Sequence, residues 1–260
     1  MKIHLNLLLR NYFLENMMDK ILDCHSHMLP MMDDGSSSIK ESIQMLKESY
    51  NQGVTDVVLT SHFYPGDEKI EDFLNRRHAS LDVLLNETKT LDNIPNLYLG
   101  AEVAYYYGIS NSSSIKECVF NGTNYFLLEM PFEKWDNSVV EDVIQLKKKF
   151  HLNVIIAHFE RFLSYGNKKH IKRLFDYGFI LQSNCEFFIK KETRREALAY
   201  LKKGLIGLIG TDSHNMKHRK PNMKECLDII NQKHSKYLDK VLENSNLLIN
   251  SLEACSYANS

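Results

Sequence analysis

Residues 21–27 read ILDCHSH: a short apolar run, Ile21 to Cys24, leads into two histidines spaced two apart. On an extended strand, positions i and i+2 share a face, so His25 and His27 can grip one object. The same construction recurs down the chain. Thr55 to Thr60 leads to His62, Leu97 to Gly100 leads to Glu102, and Tyr125 to Leu128 leads to Glu129. Val154 to Ala157 leads to His158, Phe179 to Gln182 to Asn184, and Leu205 to Ile209 to Asp212 and His214. Seven such runs, recurring about every 30 residues, have the spacing of a strand plus a crossover helix. Their low polarity predicts parallel strands buried on both faces, hence an α/β fold.

Helical stripes fill the intervals. Ser38 and Glu41 make a capping box before Ile39, Ile43, Leu46 and Tyr50, and this helix closes at Gly53. Similar stripes span Phe73 to Leu85, Val139 to Phe150, Ile171 to Tyr177 and Ala197 to Leu201, with Gly178 and Gly204 just past the last two. Met223 to Leu252 reads as one or two further helices without linker composition. Residues 18–260 are therefore expected to form a single domain, with residues 1–17 a dispensable extension that lacks the features of a signal peptide. Met17 or Met18 is the alternative start.

Composition excludes several classes of function. With 32 basic against 33 acidic side chains and a formal charge of -1, the chain has no general attraction to nucleic acid or anionic membrane. No run approaches the roughly 20 apolar residues of a membrane span. The five cysteines are widely spaced and lack a CxxC pair, which suits a reducing cytoplasm rather than a disulfide framework or a thiolate zinc site. A cysteine-based phosphatase would need Cys five residues ahead of Arg. No cysteine here meets that, and Cys24 reads as a small core residue.

The strand ends carry the chemistry. A lone HxH means little, but an ordered series of His, Glu and Asp at one strand end after another is informative. In a parallel sheet or barrel the C-terminal strand ends converge on one mouth, so residues scattered over nearly 200 positions meet there. Imidazoles and carboxylates without thiolate suit Zn, Mn or Fe, and so many donors exceed what one ion takes. A multinuclear site is expected. Asp33 and Asp34 precede Gly35 in MLPMMDDG, a turn signal, and Asp34 is also placed to serve as a loop ligand. Arg161 falls beside the mouth, where a guanidinium can fork onto phosphate. Lys217 to Lys220 is a solvated charge run or an anion-steering one, and Tyr105 to Tyr107 reads as packing or loop aromatics.

In this order DCHSHMLPMMDDG, TSH, GAE, LLEM, IAHFER and GTDSHN resemble the PHP (polymerase and histidinol phosphatase) superfamily, from about Ile21 to about Arg219. Within it they are most similar to the bacterial capsule and exopolysaccharide tyrosine phosphatases, on the strength of DDG and IAHFER. The resemblance implies a distorted (β/α)7 barrel with its metal site at the C-terminal strand ends. It implies three divalent ions, manganese first, with iron and zinc as other candidates. His25, His27, Glu102 and Asp212 would hold one ion. Glu102 would bridge to a second, held with Glu129 and His158, while Asp34, His62 and His214 would hold the third. Arg161 and Arg219 would contact the phosphate. The loop MLPMM, Phe159 and the extended N-terminus depart from the family's pattern, and none removes a ligand.

The expected mechanism is attack on phosphorus by a metal-bound hydroxide without a covalent phosphoenzyme. The expected substrate is a phosphotyrosine protein, a membrane-associated tyrosine autokinase that controls polysaccharide export. Neither nucleic-acid binding nor membrane insertion is expected, and oligomeric state is not legible. Three other readings stay open. One is a small-molecule phosphatase such as histidinol phosphatase, or a phosphodiesterase. Another is an amidohydrolase, disfavoured because Glu129 stands where a modified lysine is usual. The third is a non-catalytic metal-binding protein, which would be expected to have lost some of the nine ligand positions.

Overall fold

A computed structural model of the chain describes residues 20–257. The expected extension over residues 1–17 lies outside the described residues. Nine short strands are present among them: β1 (Leu22–Ser26), β2 (Asp56–Leu59), β3 (His62–Phe63), β4 (Asn96–Leu99), β5 (Glu102–Ala104), β6 (Tyr125–Glu129), β7 (Asn153–Ile156), β8 (Ile180–Asn184) and β9 (Ile206–Gly210). Every pairing is parallel, in two sheets ordered β1-β2-β4 and β3-β5-β6-β7-β8-β9.

All seven expected runs become strands, but the second and third each continue past a break. Thr60 and Ser61 separate β2 from β3, and Gly100 and Ala101 separate β4 from β5. Backbone bonds bridge the break, with Gly100 N donating to Leu59 O at 2.9 Å and Glu102 N to Thr60 O at 3.2 Å. At Gly100 a Cβ would lie 2.6 Å from the Phe120 ring, so only glycine allows this approach. At the other end of the order, Ser26 and Ser213 form an isolated parallel bridge. Asp212 N donates to His25 O at 2.8 Å and His27 N to Ser213 O at 2.9 Å, joining β1 to the segment after β9.

Alternation along the strands divides the core. Leu22, Cys24, Val58, Leu127, Ile155, Ala157 and Leu208 form one buried cluster, which Phe120 and the helical residues Leu248, Ile249 and Leu252 complete. Val57, Leu59, Phe126, Leu128, Val154, Ile156 and Ile209 point into the larger cluster shared with the other helices. Burial on both faces is the arrangement expected of parallel strands. The tail thus covers one sheet face, each such side chain contributing about 1.5–3 kcal/mol of burial.

The helices are α1 (Ile39–Asn51), α2 (Ile70–Thr88), α3 (Asn137–Phe150), α4 (Lys168–Asp176), α5 (Cys185–Ile189), α6 (Lys191–Lys202), α7 (Met223–His234) and α8 (Asp239–Tyr257). The capping box differs in its reciprocal half. Ser38 Oγ accepts from Glu41 N at 3.3 Å, but the Glu41 carboxylate reaches Ser37 N and Oγ rather than Ser38. Gly53, Gly178 and Gly204 take φ of 87°, 78° and 65°, the left-handed stop that glycine permits. No helix among the described residues is long and apolar enough to cross a membrane.

Candidate metal centre

The donors arrive on strand termini. His25 lies in β1 and His27 directly follows it, while Glu129 closes β6. His62 opens β3 and Glu102 opens β5, and these two are register partners. Their side chains consequently meet, His62 Nδ1 standing 3.1 Å from Glu102 Oε2. His158 and Asp212 follow the ends of β7 and β9 with φ of 29° and 52°, backbone that is costly for residues other than glycine. Each is held there by a bond from its own amide, His158 N to Gln182 Oε1 at 2.7 Å and Asp212 N to His25 O at 2.8 Å. Asp34 reaches in from the loop after β1, largely exposed.

Glu102 is the hub. Its Oε2 lies 3.0 Å from His25 Nε2 and 3.2 Å from His27 Nε2, and its Oε1 lies 2.8 Å from His158 Nε2. His158 Nε2 is also 3.3 Å from Glu129 Oε1. Asp212 Oδ1 stands 3.4 Å from His27 Nε2, and Asp34 Oδ1 stands 3.3 Å from His214 Nε2. Among the described residues, three sets each have donor atoms within 4.8 Å of one another: His25, His27 and Asp212; His62, Glu102 and Glu129; and His27, Asp34, His62 and His214. Eight of the nine residues singled out in the sequence fall in these sets, and the ninth, His158, joins them through Glu102 Oε1 and Glu129 Oε1. The grouping differs in detail from the implied one, because His27 also faces the Asp34 set and His62 also faces Glu102 and Glu129.

The chemistry of the donors fits divalent cations. His25 Nε2 and His27 Nε2 point at each other across 3.2 Å, and the buried His62 Nδ1 and His214 Nε2 make no aligned hydrogen bond although Glu102 and Asp34 oxygens stand 3.1 and 3.3 Å away. Buried imidazole nitrogens aimed at one another and at carboxylates are what a cation between them would satisfy.

Outer partners fix which nitrogen points inward. His27 Nδ1 donates to Asp33 Oδ2 at 2.8 Å, His25 Nδ1 to Gln182 Oε1 at 3.1 Å, and His214 Nδ1 to Asp212 O at 3.0 Å, which leaves each Nε2 to the cluster. Gln182 Nε2 donates onward to Asn184 Oδ1 at 3.0 Å, and Asn184 Nδ2 to Asp212 Oδ2 at 2.7 Å. Sequence reasoning missed Asp33 and Gln182 in these roles. Asp33 does make the expected turn, with Gly35 N donating to its Oδ1 at 2.9 Å, but its second oxygen serves His27. A glutamine closing the otherwise apolar run Phe179 to Gln182 was the available signal for Gln182.

Burial sets the charges apart. It opposes ionisation of Glu102 and Asp212, yet His25 and the neighbouring imidazoles, with Arg161 beside Asp212, hold both carboxyls well below their usual range. Burial also opposes charge on His27 and His158. Asp212, Asp33 and Glu102 outweigh it at His27, which is raised well above 6.5, and Glu102 and Glu129 raise His158 to about 9. At His214 burial and the His27 charge prevail and push the imidazole down to about 3, and His62 is lowered mainly by burial.

Both arginines converge on one carboxylate. Arg161 Nη2 lies 2.5 Å from Asp212 Oδ2, and Arg219 Nη2 lies 2.7 Å from Asp212 Oδ1. Arg161 stands on the 3-10 segment Phe159–Tyr165 after β7 and also lines a cleft of about 470 Å³ with Asn184, Lys168, Phe187 and Lys190. The Cys24 thiol is buried and raised well above its ordinary value by that burial, so it is no nucleophile.

The chain that builds this centre matches the model of the CpsB/CapC family, described as capsular polysaccharide synthesis, over residues 21–250, and it belongs to that family. Among its relatives, the tyrosine-protein phosphatase CpsB of Streptococcus pneumoniae is 30% identical over 233 residues, 82% of this chain and 91% of the relative. The tyrosine-protein phosphatase YwqE of Bacillus subtilis is 27% identical over 236 residues, 88% of this chain and 91% of the relative. The solved structures of YwqE and CpsB, described as unique metal-dependent tyrosine phosphatases, include a chain that superposes with a TM-score of 0.78 at 25% identity, covering 89% of this chain and 95% of that one. A lactonase from Listeria monocytogenes shares the fold alone, with a TM-score of 0.56 at 12% identity over 87% of this chain and 93% of its own.

Proposed function

We propose that this chain is a metal-dependent protein-tyrosine phosphatase that acts on a phosphotyrosine protein, a membrane-associated bacterial tyrosine kinase of capsule or exopolysaccharide synthesis. The observation that carries this reading is the clustering of nine imidazole- and carboxylate-bearing residues, four of whose imidazoles meet at Glu102, with two guanidinium groups beside Asp212. Family membership and the relatives' names support it.

In this reading residues 18–260 form one domain, and its two sheets form a single distorted (β/α)7 barrel, with the centre at the C-terminal strand ends. The Ser26–Ser213 bridge and the bonds across the β2–β3 and β4–β5 breaks support closure. His25, His27, Asp34, His62, Glu102, Glu129, His158, Asp212 and His214 would hold three divalent ions, manganese first, and the protein would work in the cytoplasm. Bound ions of this kind supply an activated water and positive charge for a phosphoryl group. Glu102 faces His25, His27 and His62 through Oε2 and His158 through Oε1. Asp33, Gln182 and Asp212 O orient the imidazoles, and Arg161 and Arg219 hold the phosphate dianion and balance charge on its equatorial oxygens.

The test is hydrolysis of a phosphotyrosine peptide with added manganese by the native protein and by His158→Ala, with histidinol phosphate as competitor substrate. Activity on the peptide that is lost in the variant is expected. Preference for histidinol phosphate would instead assign a small-molecule phosphatase.

A further inference from the structure

Two aromatic rings at the mouth remain without a role in the metal centre or in phosphate binding. Tyr64, two residues past His62, is 41% exposed, and Phe132, three past Glu129, is 47% exposed. Single exposed aromatics are ordinary on a protein surface and need no explanation. These two are distinguished by what they lie on. Tyr64 stacks on His62 with centroids 4.9 Å apart and planes 26° from parallel. Phe132 stacks on His158 at 6.0 Å and 27°. Those two imidazoles reach opposite oxygens of one carboxylate, His62 at Glu102 Oε2 and His158 at Glu102 Oε1. The rings therefore flank the part of the centre defined by Glu102 and Glu129, while Arg161 and Arg219 stand beside Asp212.

Phe132 is also held in place from behind. It packs on the buried Phe162 at 5.2 Å, and Phe162 packs on the buried Trp135 at 5.3 Å. Trp135 Nε1 donates to Pro131 O at 2.9 Å, which ties that stack to the segment carrying Phe132. A ring fixed in this way pays little conformational entropy on contact with a ligand. A phosphate dianion alone has no use for two half-exposed aromatic surfaces, whereas an aryl ester brings a flat apolar ring attached to its phosphate.

We infer that Tyr64 and Phe132 form a two-sided recognition site for the aromatic ring of the phosphate ester, selecting aryl over alkyl phosphates. The inference rests on the phosphatase reading above and adds specificity-determining residues to it.

The experiment compares manganese-loaded native protein with Phe132→Ala, Tyr64→Ala and the ring-preserving Phe132→Tyr. Two readouts are taken: kcat/KM for phosphotyrosine against phosphoserine peptides of the same sequence, and calorimetric Kd for phenylphosphonate against methylphosphonate. An aromatic contact of this kind corresponds to roughly 3- to 10-fold in affinity. The aryl-to-alkyl ratio is expected to fall by about that factor in each alanine variant, in both readouts, and to be restored in Phe132→Tyr. Unchanged ratios in both alanine variants would overturn the inference and leave the phosphatase reading standing. Equal losses on both ester classes would also overturn it, showing that the rings only steady His62 and His158. Native protein that hydrolyses neither peptide would overturn the phosphatase reading itself, and phenylphosphonate bound no better than methylphosphonate by that protein would overturn the ring site separately.

Discussion

Asp33 Oδ2 accepts from His27 Nδ1 at 2.8 Å and from His62 N at 2.8 Å, so one carboxylate oxygen sets both the tautomer of one candidate ligand and the position of another. Burial opposes the charge on Asp33, but the His27 contacts and the two backbone amides hold its carboxyl far below the ordinary value.

Asp33→Asn is therefore expected to weaken metal binding by about 10- to 100-fold, the range for outer partners of ligating histidines. The fold should persist, since the Gly35 bond to Oδ1 can be kept by an amide oxygen. Metal titration followed by calorimetry checks this, and native affinity in the variant would show that the Asp33 bond does not matter to the centre.

Metal affinity should depend on pH with a definite sign. Without metal, His158 titrates at about 9 and His27 above its ordinary 6.5, so both are protonated at neutral pH. A bound ion must displace those protons, and affinity should rise from pH 7 toward 9 by up to about tenfold per unit for each proton released. The metal-free protein should show the opposite trend. A histidine raised on folding contributes stability that is complete below 6.5 and lost as pH rises through 9. Thermal melts with and without manganese across this range would reveal both slopes. Parallel curves would mean that the imidazoles are already neutral.

Arg161→Ala should lower kcat/KM for phosphate esters by about 100-fold, the scale for removing a charged donor from developing negative charge. Metal affinity should not fall, because Arg161 competes for Asp212 Oδ2 rather than supporting a ligand nitrogen. Arg161→Lys should recover little, since an ammonium lacks the planar fork. Steady-state kinetics beside metal titration separates the two effects.

Gly35→Ala tests the loop itself. A Cβ there would meet His27 O at 2.3 Å and His27 Cβ at 2.5 Å, both parts of a buried strand end that cannot swing aside. The expected cost is about 1–3 kcal/mol of stability with weakened metal binding. A denaturant midpoint equal to native would show that the loop relaxes freely.

The candidate ligands were legible because each apolar run is followed by a residue such a run has no ordinary reason to carry. Val154 to Ala157 predicts a strand, and His158 after it is the surprise. The breaks at Thr60–Ser61 and Gly100–Ala101 were not legible, because hydrophobic pattern reports burial and is blind to a strand changing its partners. The turn signal at Asp33 and Gly35 concealed the bond to His27. Gln182 escaped because the partners of its Oε1 lie 157 and 24 residues away, and only the assembled strands bring them within reach. Helix α5 has five residues, too few for a period to show.

The spread of the donors along the chain also fixes when the centre can come into existence. Asp212 and His214 sit on the last strand's exit, and Asp212 is the residue on which His25, His27, Asn184 and both arginines converge. A nascent chain that has not yet extruded β9 from the ribosome carries the other seven donors with no such anchor. Two of the three donor sets, His25 and His27 with Asp212, and His27, Asp34 and His62 with His214, thus await the last strand's exit, whereas His62, Glu102 and Glu129 lie on strands made well before it.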